Sequence, residues 1–359
     1  MLVHICCSVD SHFFLQKLRE DFPDEKLVGF FYDPNIHPYS EYRLRLLDVQ
    51  RSCDRLGIDL IEGPYDFERW MQAVKGYEKE PEKGARCEIC FDRRFEVSAK
   101  KAQEIGEKRM TTTLLVSPKK SQEQLKRTGE RFAKDYGVEF VHVDYRSGGG
   151  TQLQQRISKE ERLYRQDYCG CMFGLTIQRE QQGTIADELF SPLDGNVLPG
   201  SIEERLQIYE ERLELEASGR DYRIVRQKFL NYRLKFGWVK RKKETLASYI
   251  LPYSVMKRRY TNGKVEMEMN GLHWFNREEI RLMTLERYNL LSGESYTSVK
   301  ALVFNPPPFE TDMRVREKAG LGLWDLSPMI VLETVPEGKL EILIESEAYR
   351  DVREKLVLL

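Results

Sequence analysis

Seven cysteines are spaced as Cys6-Cys7, a lone Cys53, Cys87-x-x-Cys90 and Cys169-x-Cys171, and the 188 residues after Cys171 hold none. Thiolates two or three positions apart can reach one metal centre, whereas a Cys-x-Cys pair is too tightly spaced to close an unstrained disulfide on itself. Two such pairs suit a structural zinc or an iron–sulfur cluster. Zinc leaves Cys6-Cys7 without a task, and Cys-x-Cys is the less usual spacing for a zinc ribbon. Cys6 and Cys7 lie in the opening run MLVHICC, which is too short and wrongly flanked for a signal peptide. We therefore expect a cytoplasmic, reducing setting, where clustered cysteines mean metal or redox chemistry. Cys6, Cys7 and Asp10 together offer two thiols and a carboxylate, a set fit for a second metal site or a redox pair.

Those residues are useful only if separate segments converge, and the first 145 residues carry a pattern that would do so. Short β-rich runs near Leu2 to Cys6, Leu27 to Tyr32, Asp59 to Glu62, Met110 to Val116 and Val138 to Val143 alternate with amphipathic helical stretches. Such alternation predicts a doubly wound parallel α/β sheet, with its ligand crevice beyond the carboxyl ends of the strands. The loops at those ends carry Cys6-Cys7-Ser8-Val9-Asp10, Asp33-Pro34-Asn35-Ile36 and Ser117-Pro118-Lys119-Lys120. Cys87 and Cys90 fall where the Lys79 to Gly84 loop gives way to a helical pattern, and a helix N-terminus favours the thiolate a metal needs. Gly170 permits the unusual backbone that two closely spaced ligands require.

Other candidates read as scaffold. Tyr42, Leu46, Val49, Cys53 and Leu56 step by four, three, four and three, one buried helix face, so Cys53 is expected in the core. The five histidines show no metal-ligand spacing. Gly148-Gly149-Gly150 follows the last expected strand and reads as a turn before a helical stretch from Ser158. The loop after the first strand has the position of an ATP pyrophosphatase phosphate loop but carries cysteines where glycines would cradle phosphate. Bound ATP is not expected.

With 41% apolar residues in 359, the chain can build two or three cores, and no window is apolar enough to span a membrane. The expected organisation is a catalytic α/β domain over 1–175, an acidic linker over 176–219 marked by Pro192 and Pro199, and an α+β domain over 220–359. Net charge is −1, yet residues 220–260 hold thirteen Lys or Arg against Asp221 and Glu244, with eight aromatics between them. That segment reads either as a solvated helix surface or as a nucleic-acid grip. A final strand and helix are expected near Leu340 to Leu356.

Five motifs in order are His4-Ile5-Cys6-Cys7 with Asp10, Asp33-Pro34-Asn35-Ile36 with Glu41-Tyr42 and Arg45, Cys87-x-x-Cys90, Thr112 to Pro118, and Tyr164 to Cys171. Together they resemble the cobalamin-independent epoxyqueuosine reductases over residues 1 to 175. That family reduces the epoxide of epoxyqueuosine at the wobble position of tRNA to an alkene, the last step of queuosine biosynthesis. The resemblance implies an HUP-like α/β fold, no cobalamin, a [4Fe-4S] cluster on Cys87, Cys90, Cys169 and Cys171, and an external donor such as ferredoxin or flavodoxin. Cys6, Cys7 and Asp10 would then ligate an additional iron or act as thiol and acid. An anticodon loop needs stacking surfaces and cations, for which Asn35, Tyr39, Arg43, Arg45, Lys119, Lys120, Tyr164 and Arg165 are the candidates. The rival readings are an ATP-dependent tRNA sulfurtransferase and a zinc-stabilised RNA-binding module.

Overall fold

Short apolar runs in the first half of the chain become the strands of a parallel sheet. In chain order the computed structural model has β1 (Leu2–Ile5), α1 (Ser8–Asp21), β2 (Val28–Phe31), α2 (Tyr39–Leu56), β3 (Asp59–Glu62), α3 (Phe67–Ala73), α4 (Ala85–Glu104), β4 (Arg109–Thr112), α5 (Gln122–Asp135), β5 (Glu139–Phe140), α6 (Gly150–Glu160) and α7 (Met172–Gln182). It describes residues 1–117, 120–190, 196–277, 279–322 and 325–359. The sheet order is β3-β2-β1-β4-β5, every pairing parallel, so the order reverses beside β1. This is the doubly wound arrangement expected from the alternation, and its switch point puts the loop after β1 at the crevice. Both faces are covered: Phe13, Phe14 and Leu18 of α1, Val49 and Cys53 of α2, and Phe95 and Ala99 of α4 share one apolar core with Leu2, Val3, Ile5 and Phe31.

Two expected strands are shorter. β4 stops at Thr112, whose hydroxyl accepts the Leu114 N–H and starts a 3-10 turn over Thr113–Val116 instead of further strand. β5 holds only Glu139 and Phe140. The helix placed from Ser158 instead begins at Gly150 and ends at Glu160, directly after the glycine turn.

The chain divides into two compact units, Met1–Leu189 with Arg205–Asp221, and Phe190–Glu204 with Tyr222–Leu359. The stretch expected as an acidic linker holds most of α7 and all of α8 (Ile202–Ala217), while Pro192 lies outside the described residues. Arg212 and Glu216 of α8 answer Asp48 and Arg51 of α2, and this acidic helix belongs to the first unit from Arg205 onward.

The second unit is rich in sheet. It contains β6 (Tyr222–Arg241), β7 (Glu244–Leu246), β8 (Ser248–Ile250), β9 (Tyr260–Gly263), β10 (Val265–Met269), β11 (Leu272–Phe275), β12 (Ile280–Thr284), α9 (Leu285–Ser292), α10 (Val299–Phe304), α11 (Phe309–Lys318), β13 (Met329–Leu332) and β14 (Leu340–Leu358). These make a five-stranded sheet, β10-β11-β12-β13-β8, and a four-stranded one, β7-β6-β14-β9. The basic segment therefore forms β6, β7 and β8 and not a helix surface. Likewise the expected final strand and helix are one strand, because β14 pairs with β6 from Leu358↔Tyr222 to Glu341↔Lys240. Backbone pairing over that length decides against the helix that the charged run suggested.

Candidate thiol-lined active site

Three segments meet at the carboxyl end of the parallel sheet. The first is the turn from β1 into α1, where Cys7 is the N-cap in extended backbone and its carbonyl accepts the Ser11 N–H at 3.0 Å. Asp10 then falls one helical turn beyond the two thiols. Cys6 Sγ lies 3.9 Å from Cys7 Sγ, 4.0 Å from Asp10 Oδ2 and 3.8 Å from Thr113 Oγ1. Among the described residues, Cys6, Cys7 and Asp10 are the group of possible metal ligands whose atoms all lie within 4.8 Å of one another. Burial pushes the Asp10 carboxyl up to about 6, even though Gln154 Nε2 donates to its Oδ1 at 2.7 Å. The Cys7 thiol is pushed well up by its hydrogen bond with Cys6, by burial and by the Asp10 charge.

The second segment is the first turn of α4. The Lys83 N–H donates to Cys87 Sγ at 3.2 Å, and Cys90 is buried against Trp70 and Val74. Burial raises the Cys90 thiol to about 12; Arg94 opposes this, while Cys169, Cys171 and Cys87 push it further up. The third is the Cys169-Gly170-Cys171 turn, held by backbone contacts to the loop after β2. The His37 N–H donates to the Gly170 carbonyl at 2.9 Å, and Ile36 and Cys171 form an isolated β-bridge. Arg45 of α2 clamps the same turn, donating to the Tyr168 and Cys169 carbonyls at 3.0 and 3.3 Å while its Nε donates to Glu41 at 2.7 Å. Burial works against ionising Cys169, yet Lys120, Arg94 and Arg45 outweigh it and bring that thiol below its usual range. Lys120 Nζ is 3.6 Å from its sulfur.

The donor set fits a metal cluster. Cys90 feels the charge of Cys87, Cys169 and Cys171, so ionising the other three thiols works against ionising Cys90. A cationic metal core removes that penalty. A cavity of about 200 Å³ is lined by Cys6, Asp10, Arg45, Arg94, Lys120 and Cys169, with Arg165 also on its wall.

The remaining candidates are placed elsewhere. Tyr39 is exposed, its ring stacked on Tyr42 and tilted against Tyr65; Arg43 is exposed on α2. Asn35 is fully buried and accepts from Arg94. Tyr164 is buried, its hydroxyl donating to Glu41 at 2.7 Å and its N–H to Asp48 at 2.7 Å. Lys119 and Pro118 lie outside the described residues. Cys53 is in the core, its thiol raised to about 12 by burial.

Three residues escaped the sequence reading. Arg94 pairs with buried Asp33 at 2.9 Å and acts on Cys90 and Cys169; it stands four residues after Cys90 on one helix face, a spacing that could have marked it. Asp48 accepts from Ser8 in the first turn of α1, from Tyr164 and from Arg212, so it ties the Cys6-Cys7 turn to the segment leading into Cys169. Gln154 orients Asp10 from α6. No local pattern announces either of these last two.

Fold and site together define a doubly wound α/β protein with a thiol-lined crevice at its switch point. The family model for epoxyqueuosine reductase QueH matches residues 1–176. The epoxyqueuosine reductase QueH of Helicobacter pylori is 41% identical over 367 residues, covering 96% of this chain and 97% of that protein. That of Histophilus somni is 40% identical over 49% of this chain and 72% of its own length, and that of Thermotoga maritima 36% identical over 52% and 95%. The chain belongs to the epoxyqueuosine reductase QueH family. The second unit is thus shared with the Helicobacter pylori relative, whereas the Thermotoga maritima relative is matched almost end to end by half of this chain. Among the described residues no helix is long and apolar enough to cross a membrane.

Proposed function

We propose that this chain reduces the epoxide of epoxyqueuosine at the wobble position of tRNA to the alkene of queuosine, in the cytoplasm, with electrons from an external donor such as ferredoxin or flavodoxin. Family membership supports the reaction, and the observation that carries the site is that Cys6 and Asp10, grouped with the buried Cys7, share one crevice with Cys169. Turning an epoxide into an alkene consumes two electrons and two protons and releases the oxygen as water. A [4Fe-4S] cluster on Cys87, Cys90, Cys169 and Cys171 would supply the electrons, with an additional iron on Cys6, Cys7 and Asp10 as Lewis acid for the epoxide oxygen. Gln154 holds Asp10 by Oδ1 and leaves Oδ2 turned toward Cys6. Arg45 fixes the Cys169 turn, and Arg94 keeps Asp33 and Cys169 in a field favouring their anions. Lys120 and the exposed Arg165 line the same cavity, and these cations suit the phosphates of an anticodon loop. Neither the ATP-dependent nor the zinc-module reading draws support from the family.

The test is anaerobic turnover of epoxyqueuosine tRNA with a reduced donor, read by nucleoside mass spectrometry. Asp10→Asn keeps size and the Gln154 contact, so cluster absorbance should remain while turnover falls about 100-fold or more. Normal turnover would remove Asp10 from the chemistry. Cys169→Ser should lose iron, sulfide and colour, with Cys53→Ser unchanged; full iron in Cys169→Ser would sink the ligand assignment.

A further inference from the structure

The second unit carries an open sheet face that the reduction does not use. Trp238 of β6, Leu343 of β14 and Tyr260 of β9 stand in direct register across three strands, so their side chains rise from one face. Phe236 and Lys240, two positions to either side of Trp238, rise with them. The opposite face is filled. Val239, Leu340, Ile342 and Ile344 are buried in one apolar cluster, and a Cβ at Gly237 would stand 2.3 Å from the Ile250 side chain packed there. On the open face Phe236 is 58% and Tyr260 45% exposed. The Trp238 and Tyr260 ring centroids are 6.3 Å apart, and Lys240 Nζ lies 4.3 Å from the Trp238 centroid.

Charge selects the occupant. Residues 235–245, 257–264 and 339–347 hold ten Lys or Arg against Glu244, Glu341, Glu345 and Glu347, in a chain whose net charge is −1. Two of those glutamates are already answered, Glu345 by Arg259 at 3.1 Å and Glu347 by Lys235. The β6–β7 hairpin turns on Lys242 and Lys243, both left-handed at φ 48 and 73, where asparagine and glycine are the usual residues. Exposed rings accept the planar face of any base, and surrounding cations neutralise the phosphates between bases. We propose that this face, built on Phe236, Trp238, Tyr260 and Lys240 with the Lys242-Lys243 tip, binds unpaired nucleotides of the tRNA substrate. The inference rests on the tRNA reading above and adds an RNA contact in the unit that lacks the cysteines.

The experiment uses the full-length, cluster-loaded protein and titrates a fluorescein-labelled single-stranded oligoribonucleotide and unmodified tRNA by anisotropy. Trp238→Ala, and Phe236→Ala with Tyr260→Ala, should each weaken oligonucleotide binding about ten-fold, with Trp238→Phe retaining most of it. Lys242→Ser with Lys243→Ser should flatten the slope of log affinity against log salt by about 1.4. KM for epoxyqueuosine tRNA should rise at constant kcat and constant iron content. Phe236 and Tyr260 are exposed, so their removal leaves the core intact, and an unchanged melting temperature checks this. Unchanged affinity for both RNAs overturns the proposal. So does a wild-type dimer that these variants dissociate while RNA binding persists, which would make the face an interface between copies. Weakened RNA binding in the variants of a protein that never reduces epoxyqueuosine would instead overturn the reaction and leave the RNA face standing.

Discussion

Gly170 shows how closely a single residue is held at this site. It has φ 104, and a Cβ there would stand 2.8 Å from Ile36 Cγ1, 3.2 Å from Ile36 Cα and 3.3 Å from an Arg45 guanidinium nitrogen. A side-chain end can move aside, but the Ile36 backbone is pinned by its bridge to Cys171 and Arg45 by its contacts to Glu41 and two carbonyls. Gly170→Ala should therefore cost about 1–3 kcal/mol in urea unfolding and lower the iron bound per chain, with the α4 helix intact by circular dichroism. Full iron with an unmoved midpoint would show that the turn yields. The need for glycine between the two thiols was legible in the spacing of the cysteines. What presses on it was not, because Ile36 and Arg45 lie more than a hundred residues away in sequence.

At the scale of elements, His4 ties three strand ends. Its Nδ1 meets Thr112 Oγ1 at 2.9 Å on β4 and its Nε2 meets the Tyr32 carbonyl at 3.1 Å beyond β2. The carbonyl can only accept, so Nε2 carries the proton and the Thr112 hydroxyl donates to Nδ1. Burial, with the charge of Arg94 added, pushes this imidazole down to about 3. A base with a folded-state pKa below its unfolded value of about 6.5 binds fewer protons when native. Its contribution to stability is thus whole above about pH 6.5 and is lost as pH falls toward about 3, an effect on the order of 5 kcal/mol. Asp10 and Asp33, both raised to about 6 by burial, act in the opposite sense between about pH 4 and 6. The difference between wild type and His4→Gln isolates the histidine. Urea midpoints should fall more steeply for wild type than for the variant from pH 6.5 to 3, and parallel profiles would show that His4 takes its proton without cost.

At the scale of the molecule, α8 completes the first unit from beyond the family's common core. Arg212 and Asp48 are both fully buried as an ion pair, and Arg212 also donates to the Arg162 carbonyl at 3.0 Å. Removing one partner of a buried pair strands the other. Arg212→Ala should destabilise the protein by about 3 kcal/mol in chemical denaturation and loosen the Cys6-Cys7 turn, since Asp48 also receives Ser8. A loss near zero would show that Ser8 and Tyr164 suffice to satisfy Asp48. Acidic composition suggested a linker here, and the error has a cause: the charges of α8 that matter are paired inside the unit, a partnership no local pattern reveals.

The sequence by itself determined the alternation of strands and helices, the two cysteine pairs, the Cys6, Cys7 and Asp10 group and the core position of Cys53. All of these are local, set by periodicity and by spacings of a few residues. Tertiary structure alone decided the roles of Asp48, Arg94 and Gln154, the commitment of Asn35 and Tyr164 to buried partners, and the β6–β14 ribbon where charge suggested helix. Each depends on which residues meet across long stretches of chain. A hydrogen bond, an ion pair or a strand pairing between distant segments leaves no mark on the composition of either segment alone.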